Sequence, residues 1–327
     1  MSSLVGYSTS SILKPGKKAV VTGASSGIGR AAALEFASRG MNIRMIDNDV
    51  EELKDATALV QKRCAAARRG ADPIQTIKGR VVDVSDEQAM KDLADEVFDR
   101  GGKCHFLFNN AGIQPSVAEG GSLAASSTDT MRRTLDTNFY GPVQGCAAFF
   151  PKMKQADEEG IVVNTGSKQG ITMPPGNLPY NVSKAALKCY TEGLEHELRN
   201  SCNGKLRAAL LIPGWVNTSI LLKNSRSEAL ADGREKDFDP DSVFFHENKP
   251  ASEAWLPKQV IDFMIEELDK GRFYIVCPDN DVDRNTDNLR MTWTMQDITM
   301  DRPPLSRWHD SYKEEFTEFL HANKSEK

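Results

Sequence analysis

Tyr180 and Lys184 stand four residues apart in Tyr180-Asn181-Val182-Ser183-Lys184, so a helix puts both side chains on one face. Of the six tyrosines, only Tyr180 has a lysine at that spacing. Ser167 lies thirteen residues upstream, in Asn164-Thr165-Gly166-Ser167 at the end of a strand candidate. A phenol, an ammonium and a hydroxyl held together suit proton transfer at a carbinol or carbonyl oxygen. A free tyrosine, with a pKa of ~10, is a poor base at neutral pH. One ammonium ~4 Å away, at an effective dielectric of ~20, favours the phenolate by ~4 kcal/mol, roughly three pKa units. The expectation is that Lys184 brings Tyr180 close to neutrality while Ser167 hydrogen-bonds the reacting oxygen. Taken alone, the pair also fits a surface helix with a tyrosine beside an aliphatic lysine stem.

The elements that must position these groups alternate along the chain. Lys18 to Thr22, Asn42 to Ile46, Val81 to Val84, Phe106 to Phe108, Ile161 to Val163, Ala208 to Ile212 and Phe273 to Val276 read as strands. Helical patterns separate them, including Gly29 to Arg39 and Val50 to Ala67, and Ser85 with Gln88 fits a capping box. Strands apolar on both faces, alternating with helices, predict a doubly wound parallel sheet of about seven strands with ligands at the carboxyl ends. Residues 1–16 read as a leader, 17–277 as one Rossmann-type catalytic domain, and 278–327 as a C-terminal extension.

A glycine-rich turn, Thr22-Gly23-Ala24-Ser25-Ser26-Gly27-Ile28-Gly29, follows the first strand and opens a helix. Glycines let the backbone approach a pyrophosphate, and the helix start offers unpaired N–H groups. Asp47 ends the second strand, where a carboxylate accepts ribose hydroxyls and repels a 2′-phosphate, so NAD is preferred over NADP. A helix-capping acid is the plainer reading of the same residue.

The Gly-x3-Gly-x-Gly spacing resembles the classical short-chain dehydrogenase/reductase family, and further motifs follow in that family's order. Asp83 and Val84 match its adenine contacts, Asn109-Asn110-Ala111-Gly112 its Asn-Asn-Ala-Gly motif, and Asn138 its additional catalytic asparagine. Pro213-Gly214-Trp215-Val216-Asn217-Thr218 matches the segment that holds the nicotinamide carboxamide, and Ser167 to Tyr180 has the family separation. The resemblance implies catalysis by Asn138, Ser167, Tyr180 and Lys184, with Asn138 holding a proton-relay water. It implies cofactor contacts from Gly23, Ser25, Ser26, Gly27, Ile28, Gly29, Asp47, Asp83, Val84, Asn110, Ala111, Gly112, Tyr180, Lys184, Pro213, Gly214, Val216 and Thr218. It further implies a substrate lid over about 219–256 and a homodimer or homotetramer. Gly166 stands where many members carry a second serine, and a change confined to local packing is expected there.

The reading is an NAD-dependent oxidoreductase that interconverts a secondary alcohol and a ketone. An NADP-dependent carbonyl reductase and a dinucleotide-sensing binding protein are the alternatives, and a sugar-nucleotide epimerase fits the length but not the glycine spacing. Met173, Pro174, Pro175 and Leu178 are expected to wall a pocket for a substrate of some bulk, aromatic ones included. Phe244, Phe245 and His246 are candidate contacts from the lid. The extension, with Met291, Trp293, Met295, Met300, Trp308 and Phe316, packs on its own subunit or forms an arm over the active site or a neighbouring subunit.

Composition narrows the rest. The 327 residues carry 46 acidic and 41 basic side chains, a net charge of −5 without a basic run, which argues against a nucleic-acid surface. No stretch reaches the ~18–20 apolar residues of a membrane helix. Six scattered cysteines and no signal-peptide pattern read as reduced thiols in the cytoplasm. No metal is expected: HExxH is absent, and the calcium-like run Asp279 to Asp283 has Arg284 where the loop needs glycine.

Overall fold

The computed structural model describes residues 9–67, 75–115, 127–218, 220 and 252–324. Seven parallel strands form one sheet: β1 (Lys18–Thr22), β2 (Asn42–Asp47), β3 (Ile77–Val81), β4 (Phe106–Asn109), β5 (Gly160–Thr165), β6 (Leu206–Ile212) and β7 (Tyr274–Val276). Their order is β3-β2-β1-β4-β5-β6-β7, so the chain reverses its direction of travel between β1 and β4. In such sheets a crevice opens at that switch point, outside the carboxyl ends of the strands. The central strands are short and almost wholly apolar because helices cover both faces: β5 is buried along its whole length.

On one face, α1 (Gly27–Ser38), α2 (Val50–Ala67) and α8 (Pro257–Asp269) press Phe36, Leu53, Val60, Val260 and Met264 against Phe106 and Phe108. On the other, α3 (Glu87–Phe98), α5 (Gly141–Ala156) and α7 (Leu178–Ser201) contribute Met90, Leu93, Phe149, Met153 and Leu198, and α4 (Thr128–Leu135) packs on α7. The apolar spacing of Val260, Ile261, Met264, Ile265 and Leu268 is a buried stripe, as its period requires. Phe36 and Phe106 meet with ring centroids 4.6 Å apart, and truncating so enclosed a ring costs about 3–5 kcal/mol.

Two local expectations shift. β3 spans Ile77–Val81 rather than 81–84, with only Ile77 buried along it. As the edge strand it tolerates polar side chains, whereas Val82 and Val84 are apolar because they pack into the second core after the strand has ended. The cap of α3 is Asp86, whose carboxylate accepts the Ala89 N–H at 2.9 Å, not Ser85. Ser85 instead donates its hydroxyl to Asp83 at 2.7 Å.

The C-terminal residues form α9 (Arg284–Thr299) and α10 (Lys313–Asn323). Trp293 anchors them at 1 % exposure, with Phe316 and Phe319 each 5.2 Å from its ring and the Arg302 guanidinium 3.6 Å above it. Its indole N–H donates to the Ser306 hydroxyl at 2.8 Å. α9 packs on the short helix α6 (Gln169–Thr172), which follows Ser167 directly. Among the described residues no helix is long and apolar enough to cross a membrane.

Candidate active site

A cavity of about 760 Å³ opens at the switch point, along the carboxyl ends of the strands. Every residue expected in catalysis or cofactor contact lines it except Gly29 and Asn138. Gly29 works from behind the wall: a Cβ there would stand 2.0 Å from the Gly23 carbonyl oxygen, so only glycine lets α1 begin against the turn. Gly23 itself is left-handed, at φ +63, a region that glycine enters without steric cost. This turn leads into the start of α1 within the cavity, the arrangement that receives a pyrophosphate.

Asp47 sits beside that turn. One carboxylate oxygen accepts the Ser25 N–H at 3.0 Å and the other the Asp49 N–H at 3.2 Å. Glu52 accepts the Ser25 hydroxyl at 3.2 Å, so a second carboxylate stands nearby. Asn110 ties the sheet together across the switch point. Its backbone N–H donates to the Thr22 hydroxyl at 2.9 Å and its amide to the Thr22 carbonyl at 3.2 Å.

The first turn of α7 carries the phenol. Asn177 caps that helix by accepting the Tyr180 N–H at 3.4 Å, and Lys184 follows one turn later. The Lys184 ammonium, 4 % exposed, donates to the Thr165 carbonyl at 2.8 Å and stands 5.6 Å from the Tyr180 ring centroid. The Ser167 hydroxyl accepts the Gln169 N–H at 3.1 Å and shares the cavity wall with Tyr180.

The electrostatics depart from the simple pairing argument. Burial pushes the Tyr180 phenol above its ordinary value, opposed by its bond to Ser167, and burial pushes the Lys184 ammonium down to about 8. At the phenol, burial outweighs the opposing influence. The two groups share one desolvated pocket, and desolvation disfavours the charged form of both.

Asn138 is set back from the cavity wall. It lies in a single π-helical turn, Asp136–Tyr140, and is fully buried. Its amide accepts the Ile113 N–H and donates to the Ile113 carbonyl, both at 2.8 Å, and donates to the Ser183 hydroxyl at 3.1 Å. The side chain thus fastens the Ile113 segment to α7. Irregular helical turns of this kind recur where a side chain must be aimed.

At the substrate end, Pro174 lines the cavity; Met173, Pro175 and Leu178 do not. Met173 ends α6 in a left-handed conformation at φ 43 and faces outward. The walls come instead from Gln114, Lys168, Trp215 and Val282, and from Asp287, Arg290, Arg307 and Trp308 of the extension. The Lys168 ammonium pairs with Asp279 at 3.1 Å and Asp287 at 2.6 Å. Asp279 also accepts the Val282 N–H at 2.9 Å, so the calcium-like run closes on its own backbone and on Lys168. In sequence, Lys168 was marked only by following Ser167, and Asp287 and Arg290 only by sharing a helix face. Most of the expected lid, at 219 and 221–251 with Phe244, Phe245 and His246, lies outside the described residues.

The family model for short chain dehydrogenases matches residues 17–229. A dehydrogenase/reductase SDR family member 7B from Bos taurus is 28% identical over 262 residues, 80% of this chain and 73% of its own. The 1-deoxy-11-beta-hydroxypentalenate dehydrogenase of Streptomyces exfoliatus is 29% identical over 205 residues, 63% of this chain and 69% of its own. A short-chain dehydrogenase/reductase from Burkholderia phymatum, crystallised with NAD, superposes with a TM-score of 0.70 at 30% identity, over 89% of this chain and 96% of that one. The chain belongs to the short-chain dehydrogenase/reductase family, a family of nucleotide-binding oxidoreductases.

Proposed function

We propose that this chain is an NAD-dependent oxidoreductase that interconverts a secondary alcohol and a ketone, with Tyr180 as the acid/base. The observation that carries the reading is that Ser167, Tyr180 and Lys184 line one cavity with the glycine turn and Asp47, with the Lys184 ammonium 5.6 Å from the Tyr180 ring centroid. The residues present fit a dinucleotide. The glycine turn meets the start of α1 without a Cβ in the way, and the Asp47 carboxylate suits ribose hydroxyls better than a phosphate. The Burkholderia relative was crystallised with NAD.

A bound oxidised nicotinamide supplies the hydride acceptor and a positive charge that favours the phenolate. Tyr180 then accepts the carbinol proton, and in the reverse direction returns it to the carbonyl oxygen. Ser167, whose oxygen accepts the Gln169 N–H, directs its own hydrogen to the phenolate or to the substrate oxygen as charge develops there. Lys184 has two further N–H groups beyond the one given to Thr165, suited to ribose hydroxyls. Asn138 is a positioning residue that aligns the Ile113 segment with α7.

The test is Tyr180→Phe, assayed for NADH formation across a panel of secondary alcohols, with NAD affinity measured in parallel. Turnover is expected to fall by about 10²–10⁴-fold with NAD affinity retained. Retained turnover, or wild-type protein that binds NAD yet oxidises nothing in the panel, sinks the assignment.

A further inference from the structure

Two arginines of the C-terminal arm line the cavity without a carboxylate partner among the described residues. Arg290 on α9 lies one turn after Asp287, and its Nε is buried with no hydrogen-bond partner. Arg307 lies in the connection to α10, its guanidinium stacked 4.4 Å from the Trp308 ring centroid and 5.3 Å from that of Phe316. Burial, with a smaller contribution from the neighbouring Arg290, pushes Arg307 down to about 10, and Asp287 opposes that shift more weakly. The acids beside them make their contact pairs with Lys168: Asp279 and Asp287 both bind it, and Asp287 acts on the two arginines only from beyond ion-pair distance. Glu253 is half-buried and Asp281 exposed in the same wall. A buried guanidinium donor without an acceptor is unfavourable, and planar forks of this kind match carboxylates in two-point geometry.

We infer that Arg290 and Arg307 form an anion pocket at the substrate end of the cavity, and that the natural substrate carries a carboxylate in addition to its reacting carbinol or carbonyl. The pocket adjoins the reacting groups through Lys168, which follows Ser167 in the chain and binds Asp287 one turn from Arg290. The surrounding acids favour a singly charged carboxylate over a dianionic phosphate, which four neighbouring carboxylates would repel. The inference rests on the proposed alcohol–ketone chemistry for its choice of substrate, but the arginines' preference for an anion can be read without turnover.

The experiment uses the full chain and two matched ketones, para-acetylbenzoate and acetophenone, which differ only in the carboxylate. Reduction by NADH is followed for wild type, Arg290→Met and Arg307→Met, and for Arg290→Lys and Arg307→Lys, which retain the charge. Calorimetry measures the binding of both ketones, and a fluorescence titration measures that of NADH. The expected result is a kcat/KM ratio favouring para-acetylbenzoate by about tenfold or more in wild type. That ratio falls by about tenfold in either methionine variant and recovers in part with lysine, at unchanged NADH affinity. A ratio at or below one, or one that the methionine variants leave unchanged, overturns the pocket. Weaker NADH binding in those variants without a change of ratio reassigns the arginines to the cofactor and overturns it equally. If neither ketone is reduced, the dehydrogenase reading loses its support and calorimetry decides: arginine-dependent binding of para-acetylbenzoate over acetophenone sustains the pocket, and equal or absent binding ends it.

Discussion

The Lys168 ammonium lies 2.6 Å from the Asp287 carboxylate, which fastens the residue after Ser167 to the C-terminal arm. Asp279 shares the same ammonium, so one half-buried cation bridges two carboxylates. Burial already pushes the Asp287 carboxyl upward, which makes its charge the more dispensable member. Lys168→Met is therefore expected to cost more than Asp287→Asn, about 1–3 kcal/mol against roughly 1 or less, because it leaves the buried Asp287 facing the half-buried Asp279 without their shared cation. Thermal unfolding of the two variants measures the order, and the reverse order would refute this account of the triad.

Cofactor choice is expected to follow Asp47. Its two oxygens each hold a backbone N–H of the loop, so Asp47→Asn keeps the shape while removing the charge that repels a 2′-phosphate. The ratio of kcat/KM with NAD to that with NADP should fall by about tenfold or more. An unchanged ratio would place the selectivity elsewhere in the crevice.

Asn138→Ala should act through Ile113. The substitution strips partners from the N–H and carbonyl of Ile113 and from the Ser183 hydroxyl. Unsatisfied buried groups of this kind cost about 1–3 kcal/mol. Faster hydrogen exchange of the Ile113 amide, together with a lower Tm, is the expected pair of signals. A Tm drop with Ile113 still protected would mean that the amide is not what holds the segment.

Far from the crevice, Glu158 gathers Lys17 at 2.9 Å, His105 at 2.8 Å and Lys103, which hold its carboxyl down to about 2 from 4.5. The imidazole accepts the Lys18 N–H at Nδ1, so its Nε2 carries the hydrogen given to Glu158. A carboxylate with a depressed folded pKa stabilises above its unfolded value and loses that contribution as pH falls toward the folded one. Glu158→Gln should therefore cost about 1 kcal/mol near neutrality, after allowance for solvent screening. The gap to wild type should close as pH falls from about 5 toward about 2. Urea unfolding at several pH values tests this, and a gap that persists at low pH contradicts it.

Much of this molecule is written in short-range pattern. Apolar runs, the glycine turn and the spacing from Tyr180 to Lys184 specify strands, a βα junction and a helix face through contacts between near neighbours. From these the parallel order and the crevice follow. The register of β3 was less legible, because the hydrophobic run at Val82 and Val84 reflects packing after the strand rather than the strand itself. Side-chain charge states were not legible either: spacing brings Lys184 beside Tyr180, but the desolvation that moves both groups depends on every layer that closes the pocket.

The amino-acid sequence by itself determined the nucleotide-binding half of this protein, since each motif there is a local device that works wherever the strand, turn and helix form. Only the tertiary structure decided the substrate end. Lys168 meets Asp287 across more than a hundred residues, and Asn138 turns to Ile113 rather than to the cavity. No local periodicity encodes such contacts, because they exist only after sheet, helices and arm have packed into one body.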